Sequence, residues 1–359
     1  MATVNNENLG FNSNTIKKPT LMGIDITYNC NLRCRHCFNC SGEQDLEINE
    51  MSDESIITLA EQIAEFMPSV ICICGGEPLL RKELLYKVIK VISKITNGYT
   101  QINMVTNGIL MDVETAKKLK ECGLIGVQVS LDGSSEKTYE WLRRSKGSFD
   151  KAIEAIKILI ENGLQVFVSC TPTKININDY ENVIKLCESL GVKQFRVQPL
   201  MLLGRATENL KDYVPNNIDY FKIRKILNEY SVKSKMQIEW GDPIEHLTRC
   251  VNETSPQNYG IHVDAYGYIE VSPYLPIRVG HIARATLKEY WDNGFKDVWS
   301  AKFIKEMSDL IKDSNNMELN DIDSRIPRNY KDKPIYIDLL EYDNFNELTL
   351  EDIINLNKY

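Results

Sequence analysis

The chain has 359 residues, 43% of them hydrophobic, which is enough for one large domain and a smaller one. A formal charge of −8 argues against nucleic acid as the main partner, although a local basic patch could still bind RNA or a leader peptide. No apolar run reaches the length of about 18 residues that a membrane span needs. The Asn-rich residues 1–19 lack the apolar segment of a secretory signal, so the sequence predicts a cytoplasmic protein with a disordered start.

Short apolar runs alternate with helical patterns from about residue 20 to residue 205. Ser52–Met67 is predicted to be a helix, because Ser52 can cap it and apolar residues recur on one face until Pro68. Ser148–Asn162 has the same pattern and precedes Gly163, a residue typical of helix ends. Six strand–helix units predict an α/β fold, a partial (β6/α6) barrel rather than the eightfold type. The predicted strands are Leu21–Thr27, Val70–Cys74, Gln101–Thr106, Gly126–Leu131, Gln165–Thr171 and Gln194–Pro199.

The pattern changes after residue 205. Gly260–Val271 is predicted to be a hairpin that turns at Tyr266-Gly267, and the acidic end of the chain closes with an amphipathic Leu348–Leu356. We therefore expect four segments along the chain: a disordered start over residues 1–19, the partial barrel over 20–205, a small α+β cap over 206–311 and an acidic extension over 312–359.

The strongest chemical signal is a cysteine cluster directly after the first predicted strand. Ten cysteines in a long chain without a secretory signal are expected to stay reduced. Cys30, Cys34 and Cys37 lie within eight residues, and such a loop can hold three irons of a 4Fe–4S cluster and leave the fourth iron open. The alternative is a structural zinc site with Cys40 as the fourth sulfur, but zinc ligands usually come from two separated pairs.

This C-x3-C-x2-C pattern, in a chain of six α/β units, resembles the signature of the radical S-adenosylmethionine (SAM) superfamily over about residues 20–205. The resemblance implies one 4Fe–4S cluster on the three cysteines, with SAM on the open iron. It also implies that a reductant such as flavodoxin or ferredoxin supplies an electron that cleaves SAM to a 5′-deoxyadenosyl radical, which abstracts a hydrogen atom from substrate. His36 stands where the family usually has an aromatic residue, and we expect it beside the adenine.

The segment after the second strand agrees with this resemblance. Gly75-Gly76-Glu77-Pro78 is similar to the Gly-Gly-Glu-Pro segment of the family, whose backbone, with Glu77, is expected to accept hydrogen bonds from the SAM ammonium group. Glycines permit such an approach because they carry no Cβ. Taken alone, the segment would be an ordinary turn.

Further SAM contacts are expected after the third and fourth strands. The resemblance implies that Ser130, near Asp132 at the end of the fourth strand, and a downstream arginine hold the SAM carboxylate. A bidentate arginine suits a carboxylate, and the spacing favours Arg143 over Arg144, although either could be a surface residue. Asn107 is expected to be a turn residue that touches the ribose.

The cap resembles, more weakly, the SPASM/twitch branch of peptide-modifying maturases, in which cysteines of this region bind auxiliary 4Fe–4S clusters. Ser272 stands where a cysteine is usual, and no cysteine follows Cys250. We therefore predict a twitch-like cap without a complete auxiliary site. A chain with no second electron acceptor suits a redox-neutral reaction, for which Cys250 is a candidate hydrogen-atom donor, unless it serves only in packing.

The other cysteines and histidines are assigned to the core. Cys72 and Cys74 lie in a buried-strand pattern, and the histidines beyond residue 205 have no metal-ligand spacing, so the sequence predicts no second metal.

The predicted function is that of a radical SAM enzyme acting on a ribosomally made peptide, by epimerisation or crosslinking. One alternative is a radical SAM epimerase or dehydrogenase of a small molecule, such as an antibiotic sugar or a cofactor precursor. Another is an iron–sulfur protein that only transfers electrons or senses redox state, although the Gly75–Pro78 segment would then have no purpose.

Overall fold

The first two thirds of the chain form a parallel sheet whose strands alternate with helices. The structure is a computed structural model that describes residues 17–43, 48–254 and 257–357. Each strand of this part pairs in parallel with the next one in the chain. The strands are β1 (Leu21–Asp25), β2 (Val70–Cys74), β3 (Gln101–Thr106), β4 (Gly126–Ser130), β5 (Gln165–Cys170), β6 (Gln194–Val197) and β7 (Gln237–Trp240).

The helices of this part begin and end at the signals that the sequence provides. The Ser52 hydroxyl accepts a hydrogen bond from the Ser55 amide at 3.1 Å and caps the first helix. Gly163, with φ of 75°, ends the fifth, so both predicted helices are confirmed. The helices are α1 (Asp53–Glu65), α2 (Lys82–Ile95), α3 (Val113–Cys122), α4 (Glu136–Arg143), α5 (Ser148–Glu161), α6 (Tyr180–Leu190), α7 (Arg205–Asn209) and α8 (Asn217–Lys233).

The last third of the chain continues the same sheet on its other side. β8 pairs in parallel with β1, and β9 runs antiparallel between β8 and β10. The predicted hairpin is therefore confirmed, with Gly267 (φ 96°) in its turn. The elements of this part are α9 (Glu245–Asn252), β8 (Gly260–Val263), β9 (Tyr268–Glu270), β10 (Ile277–His281), α10 (Leu287–Asp292), α11 (Lys302–Leu310), β11 (Ile335–Tyr336) and α12 (Leu350–Leu356).

The strands of the described residues form one open sheet in the order β11-β10-β9-β8-β1-β2-β3-β4-β5-β6-β7. This order agrees with a partial rather than a closed barrel. It also differs from the simple picture of six strands and a separate cap, because β7 and the cap strands extend the sheet on both sides. The boundary at residue 205 stays a prediction.

The two faces of the sheet have different roles. One face packs on the helices and is fully buried, as Ile71 and Ile73 show in β2. The other face carries Cys72 and Cys74 of the same strand, which are only half-buried. Because side chains alternate along a strand, these two sets point to opposite sides. The inner face surrounds the cavity described below.

The acidic extension packs on the rest of the protein. Ile335 of β11 pairs with Ile277 of β10, and Ile353 and Ile354 of α12 are buried in the main core. The predicted amphipathic segment therefore corresponds to α12. Among the described helices, none combines the length and apolar character that crossing a bilayer requires.

Candidate active site

A cavity of about 380 Å³ lies at the carboxyl ends of the parallel strands, the edge at which such sheets place their sites. The loop that follows β1 contributes three cysteines to its wall, and the inner face of the sheet contributes polar side chains. Ser169, Thr171 and Gln198 come from β5, β6 and the turns that follow them. The cavity is also lined by the residues described below, which are Asp25, Cys30, Cys34, His36, Cys37, Cys74, Gly75, Gly76, Asn107, Ser130, Arg143 and His262.

The cysteine loop is held by arginines that bind its backbone. Arg33 donates to the carbonyl of Cys30 at 2.7 Å. The buried Arg205 donates from Nε to the carbonyl of Cys34 at 2.9 Å, and its amide donates to the carbonyl of Cys37 at 3.0 Å. The loop is thereby shaped through its carbonyl groups, and the thiols of the three cysteines face the cavity. Sequence reasoning missed Arg205, whose distance from the motif in the chain hides its contact with it.

The three cysteines of the cavity wall are compatible with an iron–sulfur cluster. The described residues contain no group of three Cys, His, Asp or Glu side chains that converges on one ion. A 4Fe–4S cluster takes each thiolate at a different iron, so it needs thiols spread around a cavity rather than converging on a point. Cys40, the fourth sulfur of the zinc alternative, is buried and does not line the cavity.

Burial raises the pKa of the Cys30 thiol to about 11 and also raises the pKa of Cys34. Both therefore need a positive partner to become thiolates. The Arg143 guanidinium supplies part of that charge, since its Nη1 lies 3.6 Å from the Cys34 sulfur. A bound cluster would supply the remainder.

The two glycines after β2 are required by the close approach of two loops. The Gly76 amide donates to the carbonyl of Thr27 at 2.6 Å, and the Glu77 amide donates to that of Asn29 at 2.9 Å. A Cβ at Gly75 would lie 2.2 Å from the Thr27 oxygen, and one at Gly76 would lie 2.1 Å from the Asn29 oxygen. Both glycines also line the cavity, so the segment has the open backbone that a bound ligand could approach.

Glu77 lies behind the cavity wall and not in it. Its fully buried carboxylate accepts hydrogen bonds from the amides of Leu79 and Asn107, at 3.0 and 2.8 Å, and from the Thr106 hydroxyl at 2.8 Å. Pro78 is buried in the following turn and does not line the cavity either. Glu77 therefore positions Asn107, whose side chain does line it.

Arg143 and Asp132 form a buried ion pair at the cluster side of the cavity. Nη2 of Arg143 lies 2.6 Å from Oδ2 of Asp132, and Oδ1 of Asp132 accepts from the Thr171 amide at 2.9 Å. Asp132 is fully buried and does not line the cavity, whereas Arg143 and Ser130 do. Arg144 is exposed at the end of α4, so only Arg143 of the two is in reach of a ligand in the cavity.

His36 lines the cavity as a neutral imidazole. Burial lowers its pKa to about 4, although Asp132 lies 3.7 Å from its Nε2. A neutral ring suits stacking or hydrogen bonding with a base better than a charged one does.

Cys250 lies away from the cavity. It is buried in α9, and its thiol donates to the carbonyl of Trp299 at 3.1 Å. Ser272, which the resemblance predicts in place of a cluster cysteine, is hydrogen-bonded through its hydroxyl to Nε2 of His246 at 2.9 Å. The structure therefore brings the three predicted cluster cysteines into one cavity wall with His36, Gly75, Gly76, Asn107, Ser130 and Arg143. It places Glu77, Pro78, Asp132 and the predicted donor Cys250 outside that wall.

Among the residues that the structure adds to the cavity wall and that the sequence did not single out as functional are Asp25, Cys74 and His262. The signal for Cys74 was its alternation with Ile71 and Ile73, which places it on the other face of β2.

Comparisons with known proteins agree with this geometry. Residues 24–188 match the family described as Radical SAM superfamily. The chain is 33% identical to an Fe-coproporphyrin III synthase of Methanosarcina barkeri, over 65% of this chain and 55% of the relative. It is 24% identical to an AdoMet-dependent heme synthase of the same organism, over 77% and 82% of the two chains. It is 28% identical to the sporulation killing factor maturation protein SkfB of Bacillus subtilis, over 76% and 64%.

Two solved structures share the fold. SuiB of Streptococcus suis bound to S-adenosylmethionine has a TM-score of 0.65 and 15% identity, over 84% of this chain and 76% of that one. Native anSMEcpe with bound AdoMet has a TM-score of 0.58 and 19% identity, over 76% and 80%. SuiB has also been solved bound to the precursor peptide SuiA.

Proposed function

Because residues 24–188 form a radical SAM domain and the chain is a radical SAM enzyme, with a 4Fe–4S cluster and SAM as its cofactors, we propose that Cys30, Cys34 and Cys37 hold the cluster at this cavity. When bound, the reduced cluster supplies the electron that cleaves SAM to methionine and a 5′-deoxyadenosyl radical, which takes a hydrogen atom from substrate. The observation that carries the proposal is that the three thiols face one cavity with the open backbone of the two glycines and the Arg143 guanidinium.

We assign the parts of SAM to the wall residues by their chemistry. The backbone at Gly75 and Gly76 faces the SAM ammonium group, and Arg143 with Ser130 binds the carboxylate. Asn107 lies against the ribose and His36 against the adenine. Glu77 and Asp132 position these residues and do not contact SAM themselves. The Glu77 carboxylate accepts a hydrogen bond from the Asn107 amide, and the Asp132 carboxylate pairs with Arg143.

The proposed substrate is a ribosomally made peptide. Its support is the similarity to SkfB, a maturation protein, and the shared fold with SuiB, which has been solved with a precursor peptide.

The second candidate is a tetrapyrrole, a cofactor precursor of the small-molecule class. It is favoured by the identity to the Fe-coproporphyrin III synthase and the heme synthase. A radical epimerisation, crosslinking or dehydrogenation is compatible with the site in either case.

The electron is proposed to come from a flavodoxin or ferredoxin in the cytoplasm. All ten cysteines are free, as a reducing compartment would leave them.

The deciding experiment measures 5′-deoxyadenosine after the reconstituted enzyme is mixed with SAM and dithionite. Its formation is expected, and its absence from cluster-loaded protein would overturn the radical SAM activity. Two probes then separate the substrate classes: a short peptide encoded beside the gene, and iron-coproporphyrin III. We expect the peptide to accelerate 5′-deoxyadenosine formation and to change in mass or stereochemistry; acceleration by the porphyrin alone would replace the peptide proposal with the tetrapyrrole one.

A further inference from the structure

A radical enzyme that returns a hydrogen atom to its substrate needs a weak X–H bond in the cavity wall. Four cysteines line the cavity among the described residues. Three of them are the proposed cluster ligands, and a thiolate on iron has no S–H bond to give. The fourth is Cys74, at the last position of β2. We propose that Cys74 is the hydrogen-atom donor of this enzyme and that Cys72 is its partner thiol, an inference that rests on the function proposed above.

The two thiols form a pair on the inner face of the sheet. Cys72 and Cys74 are two residues apart in β2, so their side chains point to the same side, and their sulfurs lie 3.3 Å apart. Cys74 faces the cavity, and Cys72 lies one step deeper along the strand. Gly75 and Gly76, the proposed contact of the SAM ammonium, follow Cys74 directly in the chain. The donor therefore stands beside the cofactor segment.

An imidazole lies next to the inner thiol because β1 has a glycine at this level. Gly23 pairs with Cys72 on one side and with His262 of β8 on the other. A Cβ at Gly23 would lie 2.4 Å from Nδ1 of His262, so the ring occupies the space that a side chain would fill. His262 Nε2 lies 3.3 Å from the Asp25 carboxylate. The pair of thiols thus has a proton-carrying neighbour.

The outer sulfur of the pair holds its proton more tightly than the inner sulfur does. The hydrogen bond between the two thiols lowers the pKa of Cys72 and raises that of Cys74. The sulfur that faces the cavity therefore keeps its S–H bond, as a hydrogen-atom donor must.

The transfer of a hydrogen atom from Cys74, followed by recovery of its thiol, requires one electron and one proton. The substrate carbon radical takes the hydrogen atom of Cys74, so a C–H bond forms, the S–H bond breaks and a thiyl radical remains on Cys74. The thiyl radical then gains one electron from the same class of low-potential one-electron carrier that reduces the cluster. It also gains one proton from Cys72, which His262 and solvent replace. The substrate is changed in configuration but not in oxidation state.

The test uses SAM as its only probe, so it does not need the substrate. Without substrate, the 5′-deoxyadenosyl radical is quenched by the nearest weak bond in the cavity. In D2O and a thiol-free buffer, that bond is the S–D of Cys74, and 5′-deoxyadenosine should carry one solvent deuterium. Cys74→Ala and Cys74→Ser should still form 5′-deoxyadenosine but lose the deuterium, because an O–H or C–H bond in this position is too strong or does not exchange.

The matched control is Cys122→Ser, a half-buried thiol of α3 that lies outside the cavity wall. It should keep the deuterium of the wild type. Cys72→Ala should keep the first deuterium but regenerate Cys74 more slowly, so labelled product should appear as a burst followed by a slow phase. Equal deuterium in wild type and Cys74→Ala would overturn the proposal, as would loss of the label in Cys122→Ser.

A second readout needs no reaction. In the full-length chain without its cluster, a small organomercurial reagent, which also reacts with a protonated thiol, should modify Cys74 through the cavity, whereas the buried Cys187 should stay unmodified until the protein unfolds. Equal protection of the two would contradict the placement of Cys74. Absence of 5′-deoxyadenosine altogether would instead overturn the proposed function, so the two failures are distinguishable.

Discussion

The cavity has two walls that are built in opposite ways. On the cluster side, three thiols line the cavity, the Arg143 guanidinium lies beside one of them, and arginines bind the backbone around them. On the cap side, His262 and Asp25 of the wall pair at 3.3 Å, and Arg278 and Asp264, which do not line the cavity, pair at 2.5 Å. The first wall thus presents thiols to a ligand, whereas the charged groups of the second are paired with one another. We therefore expect the cap to keep its fold without an auxiliary cluster.

Removing the sulfurs of the cluster side has the largest expected effect. The triple variant Cys30→Ala/Cys34→Ala/Cys37→Ala should bind almost no iron and form no 5′-deoxyadenosine, while the wild type binds about four irons per chain. Iron and sulfide analysis of reconstituted protein measures this. The matched control is Cys250→Ala/Ser272→Ala on the cap side, which should keep the iron content of the wild type. A stable preparation with about eight irons would contradict the difference between the two walls.

Loss of the Arg143 side chain should weaken SAM binding by about ten- to a hundredfold. Hydrogen bonds to charged groups contribute about 1.5–3 kcal/mol, and Arg143 is the arginine of the pair that reaches the cavity. Because Arg143→Ala alone would leave the Asp132 carboxylate buried without its partner, the double variant Arg143→Ala/Asp132→Asn is the cleaner test. Titration of the cluster-loaded protein with SAM gives the affinity.

Arg144→Ala is the control for this measurement, since Arg144 is exposed. If SAM affinity is unchanged in the double variant but lower in Arg144→Ala, Arg144 and not Arg143 binds the SAM carboxylate.

The charged groups on the cap side should make stability fall as the pH rises. Burial and the neighbouring Asp264 raise the pKa of Glu270 to about 8. Burial lowers the pKa of His262, but Asp25 and Glu270 outweigh it and raise that pKa to about 9. Both groups hold a proton more tightly in the fold than in the unfolded chain, where the values are about 4.3 and 6.5. Their stabilisation is therefore present at low pH and is lost as the pH rises through about 8 to 9.

Urea unfolding of the cluster-free chain between about pH 6 and about pH 9.5 tests this. The midpoint should fall with pH in the wild type and fall less in Glu270→Gln, which cannot ionise. Glu188→Gln, an exposed residue of α6, should follow the wild type. If the urea midpoint falls equally with pH in the wild type and in Glu270→Gln, ionisation of Glu270 does not cause the loss of stability.

The elements of the fold could be predicted where their signals are local. Ser52 caps α1 and Gly163 ends α5, and both act within one turn of the helix. The pairing of β8 with β1 could not be predicted, because it joins segments more than 200 residues apart through backbone groups that every sequence carries.

The candidate site could be predicted only as far as its motifs reach. The three cysteines and the two glycines were found because their spacing is itself the signal. Cys74 was assigned to the core because cysteine reads as a small apolar residue, and only the pleat of β2 shows that it faces the cavity. Glu77 was expected to bind SAM, but its carboxylate is turned toward Asn107, a direction that no spacing encodes.

The smallest expected effect lies far from both walls, in the helix that closes the chain. Thr349 caps α12: its hydroxyl accepts from the Asp352 amide at 3.1 Å, and the Asp352 carboxylate accepts from the Thr349 amide at 2.8 Å. Thr349→Ala removes the hydroxyl and should lower the free energy of unfolding by about 1 kcal/mol. Thr349→Ser keeps the hydroxyl and should match the wild type in a urea titration. SAM affinity should be equal in all three proteins, because α12 packs through Ile353 and Ile354 on the core and none of its residues lines the cavity. A change in SAM affinity in Thr349→Ala but not in Thr349→Ser would mean that the stability of the extension is coupled to SAM binding in the cavity.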